Sequence, residues 1–120
     1  KMGKEFLQLS GEDATALEFN LRGGSGCISV TANVATKLCA EFQDASLSKN
    51  NSNLLARARE INDKLMPLHK SLFIESSPSP VKYAASLLKL CSDEVRLPLV
   101  KVSEQTKKTV KSAMTYANLL

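Results

Sequence analysis

The 120 residues predict an α/β chain, parallel at its N-terminal end and mostly helical beyond it. Three features carry that expectation. The first is Gly23-Gly24-Ser25-Gly26-Cys27-Ile28-Ser29-Val30-Thr31-Ala32-Asn33. Its centre, Cys27–Val30, is short, nearly all apolar and bounded by turn residues, which suits a strand covered on both faces. The glycine pair before it reads as a left-handed helix stop. Thr31 or Asn33 after it can N-cap a helix starting near Val34. The second feature is Glu5-Phe6-Leu7-Gln8-Leu9-Ser10, which reads as an earlier strand. With a helix between them, residues 5–30 form a β-α-β unit with a short, right-handed crossover. The third is the recurrence of Leu54, Ala58, Ile61, Leu65, Leu68 and Leu72 at helical spacing. So short a run suits a helix packed in a small bundle better than a coiled coil.

The remaining elements follow in order. Ser10 with Asp13 three residues on is a weak capping box, and Glu12 and Asp13 suit the positive end of a helix. That helix spans Ala14 to Arg22 and turns Ala14, Leu17 and Leu21 inward. A second runs from Val34 to about Leu47, with Val34, Leu38, Phe42 and Ala45 as its buried stripe. Ser46 to Ser52, with Lys49-Asn50-Asn51, is a polar loop. Pro67 lies inside the Leu54–Leu72 helix and should kink or break it near Lys64 to Met66. Leu72-Phe73-Ile74-Glu75 leads into Ser76-Ser77-Pro78-Ser79-Pro80, expected as an extended arm. Pro80 is placed to begin a helix that carries Val81, Ala84, Ala85, Leu88 and Cys91 inward. Asp93 to Val102 is extended around Pro98. Ser103 caps a last helix with Val110, Ala113, Met114 and Ala117 buried.

Composition, 43% hydrophobic and 23% charged, is that of a soluble globular protein. The net charge of +4 is mild. The one basic cluster, Lys101, Lys107, Lys108 and Lys111, reads as a solvated helix face, so no nucleic-acid partner is expected. No apolar run is long enough to span a bilayer and no signal peptide is visible, so no membrane partner is expected. Cys27, Cys39 and Cys91 lack CxxC spacing and each lies on an apolar stripe; they read as reduced, buried thiols of a cytoplasmic protein. His69 is the only histidine, which excludes a His-rich metal site.

Two apolar strands cannot cover their own faces or satisfy their outer edges. The chain is therefore expected to be part of something larger or to pair with another copy.

Several blocks resemble the C-terminal portion of the dihydrodipicolinate synthase family: Leu9-Ser10-Gly11-Glu12-Asp13-Ala14, Gly23 through Val34, Leu65-Met66-Pro67-Leu68-His69-Lys70, Leu72-Phe73-Ile74-Glu75 through Pro80-Val81-Lys82, and Arg96-Leu97-Pro98-Leu99. The resemblance implies the last two β/α units of a TIM (β/α)8 barrel followed by a C-terminal helical domain, divided as residues 1–47 and 48–120. Such barrels need about 250 residues. It also implies an aldolase-type lyase of lysine and diaminopimelate biosynthesis, condensing pyruvate with aspartate semialdehyde through a lysine Schiff base, without a cofactor. The family's reactive lysine lies upstream, and Lys1 and Lys4 match no such motif; no catalytic residue is expected here, and the 120 residues alone should be inactive. Two positions match the substrate site. Ile28 resembles a residue whose backbone contacts pyruvate, and Gly11 the glycine beside that pocket. A homo-oligomer, dimer or tetramer, is implied as well. Arg22 replaces residues that are commonly apolar and face a neighbouring subunit, which weakens such a contact unless the charge is paired.

Rival readings are weaker. Gly23-Gly24-Ser25-Gly26 ends a helix rather than opening one, so it is not a phosphate cradle. Ser10 has no histidine near in sequence and reads as a cap, not a nucleophile. Lys82 belongs to the helical part, and His69 reads as a packing residue. Met2 leaves room for an independently translated helical assembly module descended from the same ancestor, and another keto-acid aldolase of the superfamily is the remaining alternative.

Overall fold

The computed structural model describes residues 3, 5–48 and 51–120. Lys1, Met2, Lys4, Lys49 and Asn50 lie outside the described residues. Among the described residues there are five α-helices: α1 (Ala16–Leu21), α2 (Thr36–Leu47), α3 (Ser52–Ser71), α4 (Ser79–Leu87) and α5 (Glu104–Tyr116), with 3-10 turns at Asp13–Thr15 and Thr31–Asn33. Helix α3 is the spine. It packs against α2 on one side and α5 on the other, and α4 packs on α5. Its stripe Ala58, Ile61, Leu65, Leu68 and Leu72 is fully buried. Leu54, expected on that stripe, is exposed at the first turn. A single apolar cluster runs from Ala16 to Ala117, continuous across residue 48.

Pro67 does not break α3, which is continuous from Ser52 to Ser71. A proline inside a helix costs about 3 kcal/mol. Burying Leu65, Leu68 and Leu72 on both sides of it gains about 1.5–3 kcal/mol each. The burial wins, and Pro67 itself faces solvent. At the start of α3, the Asn51 side chain accepts from the Asn53 and Leu54 amides. Helix α5 matches expectation: Ser103 Oγ accepts from the Thr106 amide at 3.3 Å, and Val110, Ala113, Met114 and Ala117 are buried. Ser103 also donates to Glu75 Oε1 at 2.7 Å, tying the turn after α3 to the start of α5.

The N-terminal segments are less regular than expected. Neither Glu5–Ser10 nor Cys27–Val30 is long enough in its pairing to be a strand. They meet in one parallel bridge, Ser10 opposite Cys27, supported by hydrogen bonds of 2.8 Å from Ser10 N–H to Gly26 C=O and from Ile28 N–H to Ser10 C=O. Cys27–Val30 is also not covered on both faces, since Ile28 is 70% exposed, and Leu7 in the other segment is 74% exposed. No further strand pairs with either segment among the described residues.

Helix α1 starts later than Ala14; Leu17 packs partly buried against the core as expected, but the rest of the inward face differs. Glu12, not Ser10, caps the preceding turn, accepting from the Ala14 amide. Ala16 and Asn20 point inward and Leu21 is exposed. The reason is polar: Asn20 Nδ2 donates to Gln43 Oε1 and Ser46 Oγ on α2, both at 2.8 Å. Gly23, at φ 105°, closes α1 in the left-handed region as expected. Arg22 is paired, with Glu18 one turn earlier at 2.8 Å.

Three more expectations change. Thr31 and Asn33 form a 3-10 turn instead of capping α2, which starts at Thr36. The Ser/Pro segment is a run of bends and turns rather than an extended arm, because α4 already begins at Ser79 with Pro80 in its first turn. Cys91 is exposed, since α4 ends at Leu87.

The chain is a slab of 43 × 32 × 21 Å with a radius of gyration of 15.4 Å, against about 14 Å for a compact chain this long. It exposes 7682 Å² of surface, about a fifth more than the roughly 6,300 Å² of a monomer this size.

Candidate functional site

Gly11 and Ile28 are brought together by the parallel bridge. Ile28 N–H donates to the carbonyl of Ser10, the residue bonded to Gly11. Both positions are exposed, and a methyl group added at Gly11 would meet nothing within 4 Å. They share one open edge of the slab.

Behind that edge lies a buried polar cluster. The Asp13 carboxylate, 7% exposed, accepts from Val30 N–H at 3.0 Å and Thr31 N–H at 3.2 Å. This ties the turn after Cys27–Val30 to the start of the first helical turn. Thr31, fully buried, bonds through Oγ1 to His69 Nδ1 on α3 at 2.7 Å. Burial holds the His69 imidazole below its ordinary value, against the opposing pull of Asp13 and then Glu12. His69 is therefore neutral at pH 7, and Nδ1 can accept the Thr31 hydroxyl proton. Ser29 Oγ accepts from the Ala32 amide at 2.9 Å.

A pocket of about 220 Å³ adjoins the cluster, lined by Asp13, Cys27, Ser29, Cys39, Leu65 and His69 among others. Burial, with Asp13 adding to it, pushes the Cys27 and Cys39 thiols each up to about 11. Neither is a thiolate nucleophile at neutral pH. No three His, Cys, Asp or Glu side chains among the described residues are grouped to hold a metal ion. No described helix is long and apolar enough to cross a membrane. Ser10 is buried and its hydroxyl is held by its own backbone neighbour Glu12. Lys82 sits on α4 in the helical half.

The sequence reading did not anticipate Asp13 as the brace of the second segment, nor the Thr31–His69 bond. Asp13 was legible only as an acidic residue near a helix start. Its true partners lie 17 and 18 positions away, and no local pattern encodes that.

A helical layer backs a single parallel bridge, with the polar brace buried and the apolar edge open. Residues 1–117 match the Dihydrodipicolinate synthetase family. The chain belongs to that family. It is 62% identical over all 120 residues to the 4-hydroxy-tetrahydrodipicolinate synthase of Pelagibacter ubique, covering 41% of that protein. It is 58% identical, again over all 120 residues, to the synthase of the same name from Parvibaculum lavamentivorans, covering 40% of it. Among solved structures, dihydrodipicolinate synthase from Thermotoga maritima matches 97% of the chain with 38% of its own, at a TM-score of 0.89 and 39% identity. A monomeric dihydrodipicolinate synthase variant matches 96% of the chain with 37% of its own, at 0.88 and 39%. The chain thus spans about two fifths of the length of the curated relatives it matches.

Proposed function

We propose that these residues form the last two β/α units of a TIM barrel and the helices appended to it, residues 1–47 and 48–120, within a lyase that condenses pyruvate with aspartate semialdehyde in the cytoplasm. The carrying observation is the parallel bridge that sets Gly11 beside Ile28 on an exposed edge, where a barrel's lumen would lie. Active sites of such barrels lie at the C-terminal ends of their strands. Ile28 offers the keto acid an apolar wall, and Gly11 lets the backbone approach closely. A lysine outside these residues supplies the amine: it adds to the pyruvate carbonyl, a proton moves from nitrogen to oxygen, and water leaves to give the Schiff base. No cofactor is needed, because the protonated imine is itself the electron sink. The open edge and surplus surface support burial against the remaining strands. The Glu18 partner of Arg22 removes the bare charge that would oppose assembly into a homo-oligomer.

Borohydride trapping with pyruvate tests this. The full-length polypeptide should gain one reduced pyruvate adduct, detected by intact mass, and should turn over aspartate semialdehyde. Residues 1–120 alone should gain none. An adduct on a lysine of the isolated 120 residues would refute the assignment of the amine to another part of the protein. Failure of the full-length protein to trap pyruvate would refute the reading itself.

A further inference from the structure

We infer that the cavity behind the Cys27–Val30 segment is a binding site for a neutral, single-ring molecule carrying one hydroxyl, the phenol class. The cavity measures about 220 Å³ and is bounded by that segment, α2 and α3. An apolar cavity of about 150 Å³ already holds benzene, so this space fits one aromatic ring with a small substituent. Side chains alternate along extended backbone. Cys27 and Ser29 accordingly line the cavity, while Ile28 projects from the opposite face. The inference goes beyond the pyruvate reading and does not rest on it.

Size alone would admit benzene, but the lining asks for a polar handle. His69 is only 6% exposed. Its Nδ1 is held by Thr31 Oγ1 at 2.7 Å, and its Nε2 has no partner among the described residues. The fully buried side-chain atoms left unpartnered there are Asn20 Oδ1 and Asn62 Oδ1. His69 Nε2 is not one of them, so it keeps contact with open space, and the open space that His69 lines is this cavity. With Nδ1 accepting from Thr31, Nε2 carries the proton and donates. On α2, Gln43 Oε1 accepts from Asn20 at 2.8 Å, which leaves the Gln43 NH2 group as a second donor. Asp13 supplies the acceptor. Its Oδ2 is taken by the Val30 and Thr31 amides, whereas Oδ1 meets the weak Cys27 S–H donor at 3.9 Å. A hydroxyl both donates and accepts, so one group on the ring can serve Asp13 Oδ1 and one of the donors. Charge narrows the class further. No ion pair reaches Asp13 among the described residues, so its negative charge beside the cavity repels an anion. A cation would face the His69 and Gln43 donors and give up its hydration to a wall that includes Ala40, Phe42 and Leu65.

The test titrates the full-length polypeptide with phenol, which is uncharged at pH 7. Half-saturation should fall near about 1 mM, and about 10 mM phenol should raise the melting temperature by about 3 °C. Benzene, lacking the hydroxyl, should bind about tenfold more weakly, and benzoate should give no shift. Absence of any shift with phenol would overturn the site, and benzene or benzoate binding as tightly as phenol would overturn the class. Ala40→Leu, at the exposed mouth of the cavity, should plug it and abolish the phenol shift. An undiminished shift would place phenol elsewhere and overturn the inference. Should Ala40→Leu not fold, intermolecular NOEs in the wild-type protein decide. They should connect the phenol ring to the Phe42 ring and the Leu65 methyl groups, and NOEs to other residues alone would overturn the inference. Phenol binding without pyruvate trapping would support this inference and fail only the functional reading.

Discussion

Among the described residues the Thr31–His69 bond is the side-chain hydrogen bond that joins the turn after Ile28 to α3, and its removal has a calculable effect. Thr31→Val keeps the shape of the side chain and deletes the hydroxyl. Thr31 is fully buried and His69 is 6% exposed, so neither water nor a rotamer change readily replaces the lost partner. Leaving a buried nitrogen unpaired costs about 1–3 kcal/mol. For a chain of this size that is a fall in melting temperature of roughly 4–12 °C. His69→Leu should cost a similar amount, because it orphans the Thr31 hydroxyl. The double variant T31V/H69L should cost less than the two together, by about 1 kcal/mol, since each single change has already broken the same bond. Acid should act through the same residue. The His69 pKa in the folded chain lies below its unfolded value of about 6.5, so the unfolded chain binds the proton more readily. Its contribution to stability is complete above about pH 6.5 and is lost as the pH falls toward the depressed folded value. His69→Leu should therefore flatten the stability loss between pH 7 and 5. Urea melts followed by helical circular dichroism would measure all four proteins. Strictly additive single and double variants at pH 7 would refute the coupling, and an unaltered acid slope in H69L would refute the burial argument.

Two further outcomes are expected. Gly24→Ala should destabilise the chain by about 1–3 kcal/mol, because its new methyl group would sit 2.9 Å from the Phe19 carbonyl oxygen and overlap the edge of the Phe19 ring; a thermal melt within 1 °C of wild type would contradict this. In thiol labelling at pH 7, exposed Cys91 should react first, half-buried Cys27, pushed up to about 11, more slowly, and buried Cys39 only when the chain unfolds. Fast modification of Cys39 in the folded chain would show that its site opens.

Legibility in the sequence followed the range of the interactions. Helix α5 was readable to the residue, because a cap three positions from its target and a four-residue stripe are local signals. The core of α3 was readable for the same reason, and Pro67 does not break it because the burial on each side outweighs the local penalty. The inward face of α1 was not readable. Asn20 is buried by partners 23 and 26 positions away, and a polar residue with distant partners looks like surface. The exposure of Ile28 was hidden for a related reason: an apolar run states that it wants covering, not which part of the protein covers it. The family resemblance, in contrast, came from whole blocks of identity and needed no account of packing. Of the site, Gly11 and Ile28 were nominated by that resemblance, whereas the Asp13 brace required coordinates.

The uncovered rim of Phe6, Leu7, Leu9 and Ile28 also governs how this polypeptide behaves in a test tube. Extended, apolar backbone left unpaired is a template for similar segments of other copies. Purified as these 120 residues, the chain should scatter light increasingly as it is concentrated, and mild detergent should reverse the effect.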